Sequence, residues 1–330
     1  MSAVPAGAIE RFRADFACLG EGAPAAGRRL GIAVSGGGDS LALLLLAAAA
    51  YPGLVAAATV DHGLRPEGAD EAACVASVCR DLGVAHDTLV VPPGLLLGGN
   101  LQEQARGARY RLLGAWGSGR VAWVATAHHR DDVAEGFLMR ARRGAGVGGL
   151  AAMAAVQPMP GGAPGPSLVR PLLGWSHEEL LGVAAAAGVT PAEDASNHHP
   201  RFDRARIRGL IAGAPDLPAE RLAMAAQNLR HAEDALAWLA LREWGARADI
   251  TDGTVRLDMA GLPYEVRRRL ALRAIEQVRA AGGLAGDWSG TGLDRLVMAL
   301  DSGKKATLAG VVARAGERWR FELAPPRRSH

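Results

Sequence analysis

Short apolar runs alternate with amphipathic stretches between residues 29 and 143. Apolar runs that turn residues separate from helical patterns are typical of strands in a parallel sheet with helical connections. The predicted strands cover residues 30–34, 54–60, 86–91 and 121–127. The predicted helices cover residues 40–50, 67–82, 101–116 and 131–143. This alternation predicts an α/β fold with a Rossmann-like parallel sheet.

A different pattern follows residue 143. Residues 157–167 are rich in glycine and proline, which predicts a surface loop. The sequence Ser176-x-x-Glu179 is a capping box, which predicts a helix over residues 176–187. Two prolines within residues 214–218 indicate a linker, and we place the domain boundary there, between residues 1–215 and 216–330.

The second domain is predicted to be smaller and mainly helical. Residues 220–244 and 264–281 carry apolar positions at helical spacing. Residues 306–323 alternate between apolar and polar positions on both sides of Ala315-Gly316, which predicts a C-terminal hairpin.

Composition narrows the class of protein. Of the 330 residues, 49% are hydrophobic and 22% are charged, as in folded globular chains. No apolar run reaches the roughly 20 residues of a membrane helix, and the first ten residues resemble no export signal. We therefore expect a cytoplasmic protein without a membrane partner. Cys18, Cys74 and Cys79 are too few for a disulfide framework and include no Cys-x-x-Cys pair.

The basic residues are almost all arginine, since Lys304 and Lys305 are the only lysines among 37 basic residues. Basic residues outnumber acidic ones only after residue 100. A GC-rich coding sequence explains the arginine total, together with the many alanines and glycines. The position of the basic excess, after residue 100, favours a partner that carries phosphates, and nucleic acid is the first candidate.

The glycine-rich run Ser35-Gly36-Gly37-Gly38-Asp39-Ser40 lies between the first predicted strand and the helix after it. Glycines in this place let backbone amides converge on an anion, and the helix N-terminus adds positive charge. The run lacks the lysine of a Walker A loop. The run Gly144-x-Gly146-x-x-Gly149 matches a dinucleotide fingerprint but follows a predicted helix, so we reject it. The sequence therefore predicts a phosphate cradle at Ser35–Ser40.

Ser-Gly-Gly-x-Asp-Ser after the first strand resembles the PP-loop, or N-type ATP pyrophosphatase, family, whose fold is adenine nucleotide α-hydrolase-like. Five more blocks resemble the tRNA(Ile)-lysidine synthetase branch of that family, in the same order. They are VDHGLRP at 60–66, ARGARY at 105–110, ATAHHRDDVAE at 125–135, RPLL at 170–173 and DASN at 194–197. The resemblance is dense over residues 29–211 and thin afterwards.

The resemblance implies a ligase that uses ATP and Mg²⁺ and forms a carbon–nitrogen bond. Such enzymes adenylate the wobble cytidine of a tRNA(Ile) with a CAU anticodon, releasing pyrophosphate. The ε-amine of free L-lysine then displaces AMP at C2. The product is lysidine, which switches decoding from AUG to AUA. The sequence leaves the oligomeric state open, a homodimer included.

Several residues are candidates for the nucleotide site. Asp39 has an oxygen suited to Mg²⁺, although capping the following helix is an alternative role. Arg106 and Arg109 are three apart on one helix face, where they are expected to bind ATP phosphates or to form a solvated face. His128 and His129 end a strand at the edge where open α/β sheets bind ligands. We predict a catalytic role for His128 and ATP binding by His129.

Asp132 and Glu135 share a helix face, and two carboxylates on one face suit an ammonium. The resemblance assigns both to the lysine substrate and to catalysis, whereas stabilising the helix dipole is the alternative. The resemblance also implies that Arg204 and Arg208 complete the side of the site that faces ATP and tRNA, whereas an exposed basic start of a helix is the alternative. The chain departs from the family's usual Gln and Thr at Val133 and Gly136, which changes the surroundings of the two carboxylates.

Two other functions compete with the ligase. A PP-loop thiolase acting on tRNA cytidine would normally need a cysteine pair, which the spacing of Cys74 and Cys79 on a predicted helix does not favour. A family member that binds tRNA or nucleotide without catalysis is the other alternative. The presence of Asp39, Asp132 and Glu135 argues against it.

Overall fold

The structure is a computed structural model, and it describes residues 3–63, 67–92, 101–160, 165–190, 203–284, 288 and 290–325. The chain divides into two compact units, Met1–Arg230 and His231–His330. No helix among the described residues is long and apolar enough to cross a membrane.

A six-stranded sheet forms the centre of the first unit, in the order β3-β2-β1-β4-β6-β5. The strands are β1 (Leu30–Ala33), β2 (Val55–Asp61), β3 (Ala85–Val90), β4 (Trp123–Ala125), β5 (Val156–Pro158) and β6 (Ser167–Val169). All neighbouring strands pair in parallel except β5, which runs antiparallel to β6 at the edge. The order reverses direction at β1, which places the ends of β1 and β4 at a topological switch point where α/β sheets bind ligands.

The helices of the first unit are α1 (Ala6–Ala17), α2 (Gly38–Ala50), α3 (Glu67–Asp81), α4 (Leu101–Gly117), α5 (Arg130–Ala141), α6 (Val147–Leu150), α7 (His177–Ala186) and α8 (Asp203–Ala212). Helix α2 is apolar on nearly every side because it is enclosed by the sheet, α1 and α7. Its leucines form one core with the alternate β1 residues Leu30 and Ile32.

The predicted parallel α/β fold is confirmed, with strand and helix ends shifted by a few residues. The surface loop predicted over residues 157–167 is wrong at both ends, because β5 and β6 extend the sheet there. Residues 161–164 lie outside the described residues. Three-residue strands leave too short a pattern to read beside glycine and proline.

The second unit adds a sheet to its helices. The helix α9 (Ala219–Arg247) is followed by β7 (Ala248–Thr251), β8 (Thr254–Leu257), α10 (Tyr264–Ala281), α11 (Leu293–Asp301), β9 (Ala306–Leu308), β10 (Val311–Arg314) and β11 (Trp319–Leu323). The five strands form an antiparallel sheet in the order β7-β8-β11-β10-β9. Its buried residues Val255, Leu257 and Phe321 pack with the apolar side of α10. The predicted helices and hairpin are present, and the hairpin belongs to this larger sheet.

The boundary between the units lies within α9. Ala223 and Ala226, near the start of this helix, pack with Val133 and Ala152 of the first unit. The boundary near residue 215 stays a prediction, and a chain cut there would lose part of the first unit's packing.

Candidate active site

The predicted phosphate cradle is a preformed turn between β1 and α2. Gly36 has a φ of +88°, a conformation that L side chains rarely adopt, and Gly37 is the N-cap of α2. The Ser40 hydroxyl donates to the Gly37 carbonyl at 2.8 Å and accepts from the Ser35 amide at 3.1 Å. The turn therefore keeps its shape through its own hydrogen bonds.

A cavity of about 1050 Å³ opens above this turn, at the carboxyl ends of β1, β2 and β4. Most of the predicted site residues line it, namely Ser35, Gly37, Gly38, Asp39, Ser40, Arg106, Arg109, His128, Asp132 and Arg204. Four others are absent from its lining. They are Gly36, His129, Glu135 and Arg208.

Asp39 lies between two imidazoles. Its Oδ1 is 2.8 Å from His177 Nδ1, and its Oδ2 is 3.4 Å from His129 Nε2. Burial opposes ionisation of Asp39, but hydrogen bonds and positive charge from the two histidines outweigh it and hold its pKa below the ordinary value. Asp39 is therefore an ionised carboxylate facing the cavity.

His129 is buried among three carboxylates. Besides Asp39, its ring lies 3.4 Å from Asp131 Oδ2 and 3.5 Å from Asp132 Oδ2. Burial opposes protonation, but the carboxylates prevail and raise the pKa of His129 to about 10. Asp132 also accepts the His129 backbone N–H at 3.1 Å, which fixes the start of α5. The imidazolium thus holds the phosphate turn and the start of α5 together.

His128 has the opposite electrostatic environment. Burial, with the positive charges of Arg170, Arg109 and other arginines, lowers its pKa to about 3. Its Nδ1 lies 2.9 Å from Thr126 Oγ1. Adjacent histidines at one strand end are therefore in different states, neutral for His128 and protonated for His129.

Arginines form the wall of the cavity near His128. The guanidinium groups of Arg106 and Arg109 lie 5.0 and 5.3 Å from the ring of Tyr110. Arg109 Nε is buried without a hydrogen bond. Arg204, from the first turn of α8, adds a third guanidinium. A bound anion would supply the missing acceptors, as expected for a phosphate site.

Glu135 lies deeper than the spacing predicted. Its side chain is only 1% exposed, and Oε1 accepts from Arg208 Nε at 2.7 Å. Oε2 is buried without a hydrogen bond. Arg208, about half exposed, thus compensates a buried carboxylate, and an N–H donor at Oε2 would complete its hydrogen bonding.

The two departures from the family pattern have different surroundings. Val133 is buried in the apolar group that includes Ala152 and Ala226. A Cβ at Gly136 would lie 2.9 Å from the end of the flexible Arg140 side chain. Val133 therefore takes part in packing, and Gly136 leaves room for Arg140.

The sequence pattern missed His177, the first residue of α7. Its backbone N–H donates to Asp131 at 2.9 Å, and its ring stacks on His129 with centroids 5.6 Å apart. The capping box at Ser176 located the helix start, but no spacing connects His177 with Asp39. One motif block, residues 194–197, and part of another, residues 64–66, lie outside the described residues.

Asp39, His129 and His177 bring three potential metal-ligating atoms within 4.8 Å of one another. Two of the three groups are imidazoles, which suit transition metals rather than Mg²⁺. Mg²⁺ prefers one or two carboxylates together with substrate phosphates, and Asp39 beside the phosphate turn fits that set. The residues therefore suit Mg²⁺ on a bound nucleotide better than a metal held by three side chains.

Comparisons with known proteins identify the family of this chain. A family model described as a PP-loop domain matches residues 11–214. A tRNA(Ile)-lysidine synthase of Zymomonas mobilis is 42% identical over 91% of this chain and 90% of its own length. One from Novosphingobium aromaticivorans is 44% identical over 98% and 96%.

Among solved structures, a U34-tRNA thiolase from Methanococcus maripaludis superposes with a TM-score of 0.53. It is 16% identical and covers 67% of this chain and 79% of its own, a likeness that concerns the fold alone. The two lysidine synthases match most of this chain at above 40% identity, so they are closer relatives than the thiolase. This chain belongs to the tRNA(Ile)-lysidine synthase family of PP-loop proteins.

Proposed function

We propose that the protein ligates L-lysine to C2 of the wobble cytidine of a tRNA(Ile) with a CAU anticodon, using ATP. One observation carries the proposal. Asp39 of the phosphate turn and Asp132 of α5 both approach His129 Nε2, at 3.4 and 3.5 Å. An ATP phosphate that Mg²⁺ joins to Asp39 and a lysine ammonium at Asp132 would therefore meet at one place in the cavity.

In the first step, the C2 oxygen of cytidine attacks the α-phosphorus and pyrophosphate leaves. Positioning and charge neutralisation dominate such transfers. The amides of the turn would hold the phosphates, and Arg106, Arg109 and Arg204 would balance the charge on the nucleotide and on RNA. Neutral His128 offers a hydrogen bond beside these arginines without adding charge. Mg²⁺ held by Asp39 would neutralise the departing pyrophosphate.

In the second step, the lysine ε-ammonium gives a proton to a neighbouring carboxylate, the resulting amine attacks C2, and AMP leaves with the former C2 oxygen. Asp132 lines the cavity, and Glu135 has a buried oxygen without a hydrogen bond. We assign both to the ammonium groups of lysine, because ion-assisted hydrogen bonds would compensate both carboxylates. Arg208 holds Glu135 in position through its hydrogen bond to Oε1.

The cysteines support the ligase over the thiolase. Cys18 and Cys74 are exposed, and Cys79 is buried. Burial raises the pKa of Cys79 to about 11, which suppresses the thiolate needed for sulfur chemistry. None of the three lines the cavity. We also propose that residues 216–330 position the tRNA and that the protein acts in the cytoplasm, where tRNA is found.

The deciding experiment supplies radiolabelled lysine, ATP and an unmodified tRNA(Ile) transcript with a CAU anticodon. We expect label in RNA, with AMP and pyrophosphate formed in equal amounts. A transcript with uridine in the wobble position is the matched control and should remain unlabelled. AMP without lysine transfer, or sulfur transfer that depends on a cysteine, would contradict the proposal.

A further inference from the structure

The second unit exposes an unusually accessible tryptophan on α9. Trp238 is 61% exposed, and Leu241, three residues later, is 54% exposed. Five other tryptophans are buried, including Trp244 on the same helix. An indole exposed to this degree loses the burial that normally stabilises the fold, so its place calls for another explanation.

Two features surround this indole. The Arg242 guanidinium carbon lies 5.6 Å from the Trp238 ring centroid. A groove of about 510 Å³ begins at Leu241 and is bounded on the α10 side by Leu272 and Arg273. Arg269 also borders the groove but is held by Glu233 at 2.6 and 2.8 Å. The surface therefore combines a flat aromatic, a neighbouring cation and a small recess lined by apolar and polar side chains.

The size of this surface decides between partners. A stable protein interface takes roughly 800 Å² from each partner, whereas only two large apolar side chains are exposed here. One indole and one guanidinium match a single unpaired base and its phosphate. Unpaired RNA bases stack on aromatic rings and arginine planes in this way.

We propose that Trp238 and Arg242 form a docking surface for an unpaired nucleobase of the RNA substrate. The base stacks on the indole, Arg242 contacts a neighbouring phosphate, and the recess beside Leu241 receives the edge of the base. This inference rests on the proposed function, which supplies the RNA. The surface binds RNA and takes no part in the chemistry at Asp39.

The test measures binding of unmodified tRNA(Ile) to the full chain at several salt concentrations. Trp238→Ala should weaken the Kd by about 5- to 100-fold, and Trp238→Phe should keep most of the affinity. Neither should change the salt slope, because stacking releases no counterions, whereas Arg242→Gln should lower it by about 1. The matched control is Met298→Ala, a side chain 62% exposed on α11, which should stay within about twofold of wild type.

Fluorescence gives a second readout. Acrylamide should quench the fluorescence of Trp238 more than that of the buried tryptophans. In the wild type, tRNA should reduce this quenching. In Trp238→Phe the quenchable fluorescence is missing, so tRNA should change little. Lysine incorporation by Trp238→Ala should require a higher tRNA concentration, by about the same factor as the loss of tRNA affinity. Equal tRNA affinity for Trp238→Ala and Met298→Ala would overturn the inference. An absence of tRNA binding by the wild type would also overturn it. So would a Trp238→Ala variant that binds tRNA normally but no longer associates with a second copy of the chain.

The two proposals fail in different ways. If Trp238→Ala weakens tRNA binding while no variant incorporates lysine, the docking surface stands and the ligase proposal falls. If lysine enters RNA and Trp238→Ala binds tRNA normally, the ligase stands and the docking surface falls.

Discussion

The arginines of the cavity and those of α10 carry the same charge in opposite settings. Within the described part of the chain, Arg106, Arg109 and Arg204 form no ion pair, although all three line the cavity. On α10, three successive arginines have carboxylate partners, in the pairs Arg267–Asp301, Arg268–Asp294 and Arg269–Glu233. The cavity arginines are therefore available to a bound anion, whereas the α10 arginines already have carboxylate partners within the fold.

This difference changes how the arginine count should be interpreted. Residues 216–330 carry a basic excess that suggested tRNA binding, yet much of that charge is paired inside the second unit. Unpaired guanidinium groups identify an anion site better than their number does. Removing a cavity charge should therefore impair chemistry and spare stability, and removing an α10 charge should do the reverse.

The largest effect is expected at Asp39. Asp39→Ala should reduce pyrophosphate release by about 10³-fold or more, because it removes the carboxylate proposed to stabilise the departing charge. The variant should stay folded, with a lower melting temperature because His129 and His177 lose a carboxylate partner. Asp249→Asn, an exposed carboxylate on β7, is the control and should turn over normally. Normal turnover by folded Asp39→Ala would refute the assignment.

Arg269→Ala tests the paired arginines of α10. The Arg269 and Glu233 side chains are 16% and 15% exposed, so breaking the pair leaves a nearly buried carboxylate. We expect the free energy of unfolding to fall by about 2 to 4 kcal/mol in urea denaturation. Lysine incorporation per folded molecule should not change. Arg318→Ala, whose nearest carboxylate is 4.0 Å away and half exposed, should cost less than about 0.5 kcal/mol.

Arg109→Ala should lower kcat/KM for ATP by about 10²-fold, through loss of a charge-assisted hydrogen bond to phosphate. Its urea midpoint should stay the same or rise, because the substitution removes a buried Nε without a hydrogen bond. Steady-state kinetics and denaturation on one preparation would test both. A loss of stability comparable to that of Arg269→Ala would break the comparison.

Glu135→Gln should raise the KM for lysine by about 10- to 100-fold and leave the KM for ATP nearly unchanged. The amide keeps the shape of the side chain but loses the charge that attracts an ammonium. Asp131→Asn is the matched control, since Asp131 contacts His129 and His177 outside the proposed lysine contacts. Equal effects on both substrates would mark Glu135 as a structural partner of Arg208.

The smallest effect on the free energy of unfolding at neutral pH is expected from a substitution of His128. The pKa of His128 is about 3 in the folded chain, against an ordinary value of 6.5. Between pH 3 and pH 6.5, this side chain is therefore protonated in the unfolded chain and neutral in the folded chain. Its contribution to stability is therefore complete above pH 6.5 and falls as the pH falls toward 3. NMR should find the ring neutral at pH 5. His128→Asn should flatten the loss of stability in acid, and an unchanged profile would contradict the assignment.

Long periodic segments were predictable from sequence because their patterns extend over many residues. The β1–α2 turn was predictable because glycines between strand and helix have few other uses. The β7–β8 hairpin was missed, although Asp252-Gly253 is a turn signal and both residues have positive φ. Its strands have four residues each, and the long helices on either side dominated the pattern.

The depth of side chains was beyond the sequence pattern. The spacing of Asp132 and Glu135 placed them on one face, yet Asp132 lines the cavity and Glu135 is buried against Arg208. His177 reaches Asp39 only because α7 packs on α2. Both facts depend on tertiary contacts between segments more than 70 residues apart.

The hydroxyl of Ser40 has a consequence for the speed of nucleotide capture. Because it closes the turn on both sides, the empty and loaded turns need differ little, and few backbone rotations have to be frozen when ATP arrives. Association should then be set by diffusion and by the field of the arginines, with no slow rearrangement of the turn. Ser40→Ala would remove that advance ordering, and its first signature would be a slower on-rate at unchanged ionic strength.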